Sequence, residues 1–223
     1  MRIKIEGTVI SKSIADKKNY NHELYSAIIQ HLSPEIGAKF HQKDRELRLF
    51  TFTDVYLTKI SGDEMLFHVY IAGEDTLLMN LIQGLRNSEL FWLGDMCVGI
   101  DQIKEIHSLK KQNSYLFKTK VIINNPHNQE QRLMQDIEEF ERRLRLNTLK
   151  KAEKLGMTGD INFRVIQPKV NVEQYKQGHI FSWKCLLDVR GDFELVEMIY
   201  QVGVGENTAT GHGFLFEANR RGW

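Results

Sequence analysis

The sequence predicts an α+β protein made of two consecutive ferredoxin-like (RRM-like) units, each with the order βαββαβ, and a glycine-rich loop near the C-terminus. Runs that alternate between apolar and polar residues, as strands do, are separated by segments with apolar residues at helical spacing. The same order of elements occurs again after a polar junction, KKQNS, at residues 110–114. We therefore expect one domain over residues 1–110 and a second over residues 111–223.

In the first unit, MRIKIEGTVI predicts a strand and NYNHELYSAIIQHL a helix. Pro34 can begin a second short helix that reaches about His41. RLFTFTDVYLTKI and MLFHVYIAG read as strands on either side of a turn at Ser61–Asp63. Asp75 can cap the next helix, and CVGIDQIKEIHSL supplies the last strand.

In the second unit, SYLFKTKVII predicts a strand, and the polar run NNPHNQ a loop before a long helix over residues 130–152. INFRVIQPKV and HIFSWKCLLDVRG form a strand pair around a turn at Gln177 and Gly178. A helix in DFELVEMIYQV then leads through the glycine-rich segment to a last strand, FLFEA. The second unit thus repeats the order of the first.

Composition excludes several classes of function. The net charge is +1 and the pI about 7.8, so a site for RNA or DNA must be a local patch. Cys97 and Cys185 lack the spacing of a zinc site or a disulfide framework, and the histidines and acidic residues show no metal-ligand spacing. We expect no metal and no cofactor. No signal peptide or membrane span is indicated, so a cytoplasmic location and no membrane partner are expected.

The glycine-rich segment GVGENTATGHGF is the most informative stretch of the chain. It places Gly203, Gly205, Gly211 and Gly213 in two G-x-G units on either side of a polar tip. Glycines at this density allow positive φ and close backbone approach, and exposed N–H groups in such a turn bind anions such as phosphate. The segment is neither a Walker A loop nor a dinucleotide fingerprint. The alternative is a tight loop without a ligand.

The long helix has an acidic first half and a basic second half. Its six basic residues after position 141 are Arg142, Arg143, Arg145, Lys150, Lys151 and Lys154. They could form a nucleic-acid patch, or they could simply complement the helix dipole on a solvated face. We favour the second interpretation.

The glycine-rich segment and the N-terminal third of the chain carry a resemblance to a known family. The runs YQVGVGE and GHGF resemble the glycine-rich loop of the RAMP superfamily of CRISPR-associated proteins. The N-terminal third, with NYNHELYSAI, AKFHQK and RLFTFTD, resembles the endoribonucleases that cut precursor CRISPR RNA within its repeats. The family's candidate catalytic positions fall on Tyr25, His41 and Arg48. The chain departs from the family in lacking Lys or Arg within ENTAT and in carrying His212 between the last two glycines.

The resemblance implies a reaction that needs no metal ion. A ribose 2′-OH attacks the adjacent phosphodiester and leaves a 5′-OH and a 2′,3′-cyclic phosphate. His41 is the candidate acid or base, because only imidazole has an ordinary pKa near neutrality. Tyr25 would orient the 2′-OH or share proton transfer, or else pack in the core. Arg48 would stabilise phosphate charge, and Lys43 or Arg45 could replace it.

RNA contacts are expected from Gly203, Gly205, Gly211, His212 and Gly213. Phe50 and Phe52, on one face of their strand, could stack bases or pack in the core. The expected partners are precursor and mature CRISPR repeat RNA.

Two other functions stay open. One is a RAMP subunit that binds CRISPR RNA in an interference complex without cutting it. The other is a small-molecule or regulatory domain with a plain glycine turn. The sequence also leaves open whether the chain acts alone, as a homodimer or with other CRISPR-associated subunits.

Overall fold

A computed structural model describes residues 1–11, 20–41, 49–125, 134–175 and 178–218. It has two antiparallel sheets with helices packed on one face of each. This confirms the predicted α+β fold with two ferredoxin-like units. None of the helices in these ranges is long and apolar enough to cross a membrane.

The first sheet belongs to the N-terminal half. The elements run in the order β1 (Arg2–Ser11), α1 (Asn21–Gln30), α2 (Pro34–His41), β2 (Phe50–Phe52), β3 (Tyr56–Ser61), β4 (Glu64–Gly73), α3 (Asp75–Ser88), β5 (Leu90–Leu93) and β6 (Met96–Glu105). The strand order is β2-β4-β1-β6-β5, and β3 also pairs with β4. This is the βαββαβ connectivity, with the second strand interrupted and the last one doubled into a hairpin.

The second sheet belongs to the C-terminal half. Its elements are β7 (Tyr115–Val121), α4 (Ile137–Lys154), β8 (Ile161–Tyr175), β9 (Gly178–Gly191), α5 (Phe193–Val202) and β10 (Phe216–Glu217). The strand order is β10-β7-β9-β8, which is again the ferredoxin-like order. A 3₁₀ turn, Thr208–Thr210, lies within the glycine-rich loop.

Five features of the elements differ from the sequence-based predictions. The strand predicted through RLFTFTDVYLTKI is broken at residues 53–55, and β5 was not predicted. Helix α4 begins after Asp136, whose carboxylate accepts a hydrogen bond from the Glu139 N–H at 3.2 Å. Asp75 is the first residue of α3 and pairs with the N-terminal amino group, so it does not cap the helix. The last strand is only two residues long.

Each sheet covers its own apolar core. Phe50 and Phe52 are both fully buried in the first core, so neither is placed to stack a base. Leu109 packs with the second core, which also holds residues of α4 and α5. The domain boundary at residue 110 stays a prediction. The opposite faces, hereafter the outer faces, alternate with the core positions and carry polar and aromatic side chains.

Candidate functional site

The glycine-rich loop, residues 203–213, lies between the two halves. A Cβ at Gly203 would lie 2.9 Å from the Cβ of Thr51 on β2. At Gly205 it would lie 2.7 Å from the Ile122 oxygen just after β7, and at Gly211 only 2.6 Å from the amide nitrogen of Asn21 on α1. The close approach that these glycines permit is therefore to protein atoms of both halves.

Much of the loop's backbone is hydrogen-bonded within the protein. The Val204 N–H donates to the Gly213 carbonyl at 3.0 Å, the Glu206 N–H to the Ile122 carbonyl at 2.9 Å, and the Gly213 N–H to the Lys120 carbonyl at 2.6 Å. These N–H groups are not the exposed anion site that the sequence suggested. Asn207 is exposed at the tip, so an RNA contact by the loop, which stays a prediction, is most accessible there.

His212 is buried, with only 1% of its surface exposed. Its Nδ1 lies 3.2 Å from the Thr210 hydroxyl, and its carbonyl accepts a hydrogen bond from the Thr51 hydroxyl at 2.7 Å. Burial, together with the charge of Lys120, lowers the pKa of His212 to about 3, so the ring is neutral at pH 7. A contact between His212 and RNA would require the loop to open.

Lys120 on β7 joins the halves beside this histidine. Its ammonium lies 2.7 Å from a carboxylate oxygen of Asp54, between β2 and β3, and 2.7 Å from one of Glu173 on β8. Burial alone would raise the pKa of Asp54, but the charge and hydrogen bond of Lys120 outweigh it and hold the pKa below its usual value. The ion pair between Lys120 and Asp54 is a second connection between the two halves, next to the glycine-rich loop.

The outer face of the first sheet carries a row of aromatic rings, which we call the aromatic row: Tyr56, His68 and Tyr70. The rings of Tyr56 and His68 stack at 4.7 Å, and His68 meets Tyr70 edge-on at 5.8 Å. Tyr56 is 39% exposed. An exposed ring on an open sheet face is the kind of platform on which unpaired bases stack.

The outer face of the second sheet carries a row of lysines, which we call the lysine row: Lys120, Lys184 and Lys169. They lie opposite one another across β7, β9 and β8, and the last two are exposed. Exposed Lys118 lies two residues before Lys120 and opposite Phe216 of β10. Phe216 contacts Tyr70 at 5.3 Å, so the lysine row and the aromatic row lie on adjoining surfaces. We call the two together the intersheet surface.

The basic residues of α4 do not form a free patch. Glu139 pairs with Arg142 and Arg143, each at 2.6 Å, and Arg145 pairs with Asp160 at 2.6 Å. Lys151 turns inward and is buried. Because α4 packs on the core face of its sheet, it lies opposite the lysine row. These contacts favour the helix-dipole and ion-pair interpretation.

Two of the candidate catalytic residues, Tyr25 and His41, belong to helices that meet at Phe50. The half-buried Tyr25 of α1 stacks on the Phe50 ring at 6.1 Å, and Phe40 of α2 meets the same ring edge-on at 5.7 Å. Helix α2 ends at His41, so its backbone reaches this corner. The side chain of His41 and all of Arg48 lie outside the described residues, as do Lys43 and Arg45. Their mutual geometry stays a prediction.

Asn21 links this corner to the glycine-rich loop. It lies one helical turn before Tyr25, and its amide donates to the Thr210 carbonyl at 3.2 Å and to Asp54 at 3.3 Å.

Among the described residues, no three His, Cys, Asp or Glu side chains are grouped closely enough to hold a metal ion.

Comparison with known proteins identifies the family. The sequence model described as "CRISPR associated protein Cas6, C-terminal" matches residues 105–216, just over half of the chain. The chain belongs to the Cas6 family. No curated protein sequence matches it significantly.

Solved structures agree with this assignment at the level of the fold. A RAMP protein that binds different RNA substrates superposes with a TM-score of 0.79 at 21% identity, covering 98% of this chain and 100% of that one. A Cas6-related protein from Pyrococcus furiosus gives 0.77 at 21% identity, with 99% of each chain covered. A CRISPR-associated Cas6 protein gives 0.74 at 18% identity, covering 98% of this chain and 99% of the other.

The region matched to the Cas6 family contains β7 to β9, the lysine row and the glycine-rich loop. The glycine-rich loop was predicted from the sequence, whereas the two rows of the intersheet surface were not. A signal was present, because Lys118 and Lys120 alternate with apolar residues in LFKTKV. Their partner Lys184 comes from a distant strand, so only the sheet register reveals the row.

Proposed function

We propose that this Cas6-family protein is an endoribonuclease that binds precursor CRISPR RNA and cleaves it within the repeats. The intersheet surface carries the binding part of this proposal. Within the lysine row, the exposed Lys169 and Lys184 offer cations for phosphates, and the aromatic row offers rings for unpaired bases. A near-neutral chain with one such local surface fits RNA binding confined to a defined site.

Cleavage is proposed at the corner formed by α1, α2 and β2. A base removes the proton from a ribose 2′-OH, and the oxygen attacks the adjacent phosphorus. The bond to the 5′-oxygen breaks, and an acid protonates that oxygen, so the products carry a 2′,3′-cyclic phosphate and a 5′-OH. His41 acts as acid or base, Tyr25 orients the 2′-OH, and Arg48 stabilises the charge on the phosphate. The nucleophile comes from the RNA, so this mechanism needs no metal ion.

Binding by the intersheet surface is tested with labelled repeat RNA and two lysine variants. Lys184→Met removes an exposed cation of the lysine row, and Lys150→Met removes an exposed cation of α4 on the opposite side of the sheet. We expect Lys184→Met to weaken binding and to reduce the slope of log Kd against log salt by about 1. Lys150→Met should bind like the wild type. Equal effects of the two variants would place the RNA elsewhere.

Catalysis is tested by His41→Ala in single-turnover reactions. We expect the cleavage rate to fall about 10²–10⁴-fold, the usual contribution of one general acid or base. Kd for the repeat should hardly change, because proton transfer stabilises the transition state more than the bound ground state. Tyr25→Phe should lose less rate, and Arg48→Ala should lose rate and some affinity. The matched control is His107→Ala, at an exposed histidine between the halves.

The His41 variant tests the proposed acid or base, and the reaction of the wild type decides whether the protein is an enzyme or a binding subunit. If His41→Ala cuts at the wild-type rate, the proposed acid or base is wrong. If the wild type binds repeat RNA tightly and never cuts it, the protein is a non-catalytic RAMP-type subunit that binds CRISPR RNA. That second result would leave the binding proposal intact.

A further inference from the structure

Lys151 is the only basic residue of α4 that is buried, with 8% of its surface exposed. Its ammonium donates to the carbonyl oxygens of Gly203 at 3.1 Å and Gly205 at 2.8 Å. Gly203 follows the last residue of α5, so the cation also lies at the carbonyl end of that helix. Both acceptors belong to the glycine-rich loop.

These two hydrogen bonds fix the orientation of two peptide groups. A trans peptide directs its N–H opposite to its C=O. With the carbonyls of Gly203 and Gly205 turned toward Lys151, the next N–H groups point away from it. The Val204 N–H then reaches Gly213 at 3.0 Å, and the Glu206 N–H reaches Ile122 at 2.9 Å. The ammonium therefore supports the contacts that hold the loop against β7.

The loop in turn contacts the N-terminal half. Gly203 packs against Thr51 and Gly211 against Asn21, with no room for a Cβ at either glycine. Thr51 also donates to the carbonyl of His212 at 2.7 Å. A change in the peptide planes held by Lys151 would therefore shift β2 and α1 relative to β7. Those elements support the aromatic row, Tyr25 and the lysine row, respectively.

The burial of this ammonium opposes stability. Desolvation lowers the pKa of Lys151 to about 8. The negative charge of Glu206, the ionisable group that faces it, acts in the other direction and raises the pKa, but by less than burial lowers it. A hydrophobic side chain of similar length would avoid this cost, but it would leave the carbonyls of Gly203 and Gly205 without this donor. The two hydrogen bonds to the loop therefore offset part of the desolvation cost of the ammonium.

From these contacts we infer that Lys151 is a positioning residue for RNA binding. Its ammonium holds the glycine-rich loop in the conformation that sets the lysine row against the aromatic row, and it does not itself touch RNA. This inference rests on the proposed binding of RNA to the intersheet surface.

Salt dependence separates positioning from direct contact. We would measure repeat RNA affinity at several salt concentrations for the wild type, Lys151→Met, Lys150→Met and Lys184→Met. Lys151→Met should bind about tenfold more weakly or worse, because a smaller fraction of molecules has the competent loop. Its slope of log Kd against log salt should equal that of the wild type, since no phosphate contact is lost. Lys184→Met should lose slope, and Lys150→Met should lose nothing.

The affinity and the salt slope of Lys151→Met each test whether Lys151 is a positioning residue. Wild-type affinity in Lys151→Met would overturn the inference, and so would a slope reduced by about 1, which would mean that Lys151 contacts phosphate directly. If the wild type itself does not bind repeat RNA, the proposed function fails instead.

A second variant covers the case in which Lys151→Met does not fold. Lys151→Gln removes the charge but keeps an N–H donor for the carbonyls of Gly203 and Gly205. It should bind repeat RNA less than tenfold more weakly than the wild type, with the wild-type slope of log Kd against log salt. A slope reduced by about 1 in Lys151→Gln would overturn the inference, because a lost phosphate contact would then explain the weaker binding.

Discussion

At single glycines of the glycine-rich loop, neighbouring atoms restrict substitution by a larger residue more than the backbone conformation does. Gly213 has φ +77°, and a Cβ there would overlap the carbonyl oxygen of Val204. Gly62, in the turn between β3 and β4, has φ +52° and no described atom within 4 Å of the Cβ position. The pair separates the effect of packing from the effect of positive φ.

We predict that Gly213→Ala lowers the free energy of unfolding by about 3 kcal/mol or more, because backbone strain and overlap add. Gly62→Ala, with strain alone, should cost about 1 kcal/mol. Urea denaturation of the two variants measures both values. Equal losses would show that the loop has room at Gly213 and is not packed as described.

Lys151 makes stability depend on pH. Its pKa is about 8 in the folded protein and near its ordinary value of 10.5 when unfolded. Between these values the unfolded chain binds more protons, so the free energy of unfolding rises with pH. We predict that the wild type gains up to about 3 kcal/mol relative to Lys151→Met between pH 7 and 10.5. Parallel urea-denaturation results for the two proteins across this range would contradict the lowered pKa.

The sequence could not distinguish Lys151 from its neighbours. Lys150, Lys151 and Lys154 lie in one basic run, and no local pattern sets one of them apart. Only tertiary packing shows that one of them turns inward to a loop about 50 residues away. The burial of His212 could not be predicted either, because it depends on contacts with β2 and β8, which are distant in sequence.

At the scale of elements, local sequence signals predicted most of the fold. Pro34 correctly marked the start of α2, and alternation located β1, β4 and β7. The break between β2 and β3 was missed because Thr53 and Val55 are good strand residues. The Thr53 N–H still donates to the Tyr70 carbonyl of β4 at 3.0 Å, and the Asp54 carboxylate that follows contacts Lys120 of the other half, a contact that local propensity does not reveal. Strand β5 was missed because it is only four residues long.

Helix α4 gives a prediction about the basic run. Arg142 and Arg143 both pair with Glu139 and lie on the core side of the second sheet, away from the lysine row. Replacing both by Gln should leave repeat RNA affinity and its salt dependence unchanged. Filter binding at two salt concentrations tests this. A reduction of the salt slope by about 2 would mean that α4 contacts two phosphates after all.

At the scale of the whole molecule, the contacts that join the two halves in the described part of the chain include three sets that involve charged groups or the glycine-rich loop. The glycine-rich loop and Lys120 with its two carboxylates are the first two. The third is Arg2 of β1, whose guanidinium lies 3.6 Å from the ring centroid of Tyr200 and 4.1 Å from that of Phe214. It also donates to the Leu215 carbonyl at 2.7 Å. Burial lowers the pKa of Arg2 only to about 10, so it stays charged at pH 7.

This arrangement explains which parts of the site a sequence can predict. The loop and the candidate residues Tyr25, His41 and Arg48 are contiguous motifs, so resemblance to a family located them. The intersheet surface is assembled from β3, β4, β7, β8 and β9 of both halves, and no short stretch of sequence contains it. Its composition follows from the register of the strands, which single residues do not determine.

The most direct test of the proposed function is the reaction of the wild-type protein with labelled CRISPR repeat RNA in excess EDTA. We predict cleavage at one position within the repeat, giving one product with a 5′-OH and another with a 2′,3′-cyclic phosphate. The second product should resist 3′-end ligation until the cyclic phosphate is opened and removed. Cleavage that requires Mg²⁺ or Mn²⁺, or products with a 5′-phosphate and a 3′-OH, would contradict the proposed mechanism.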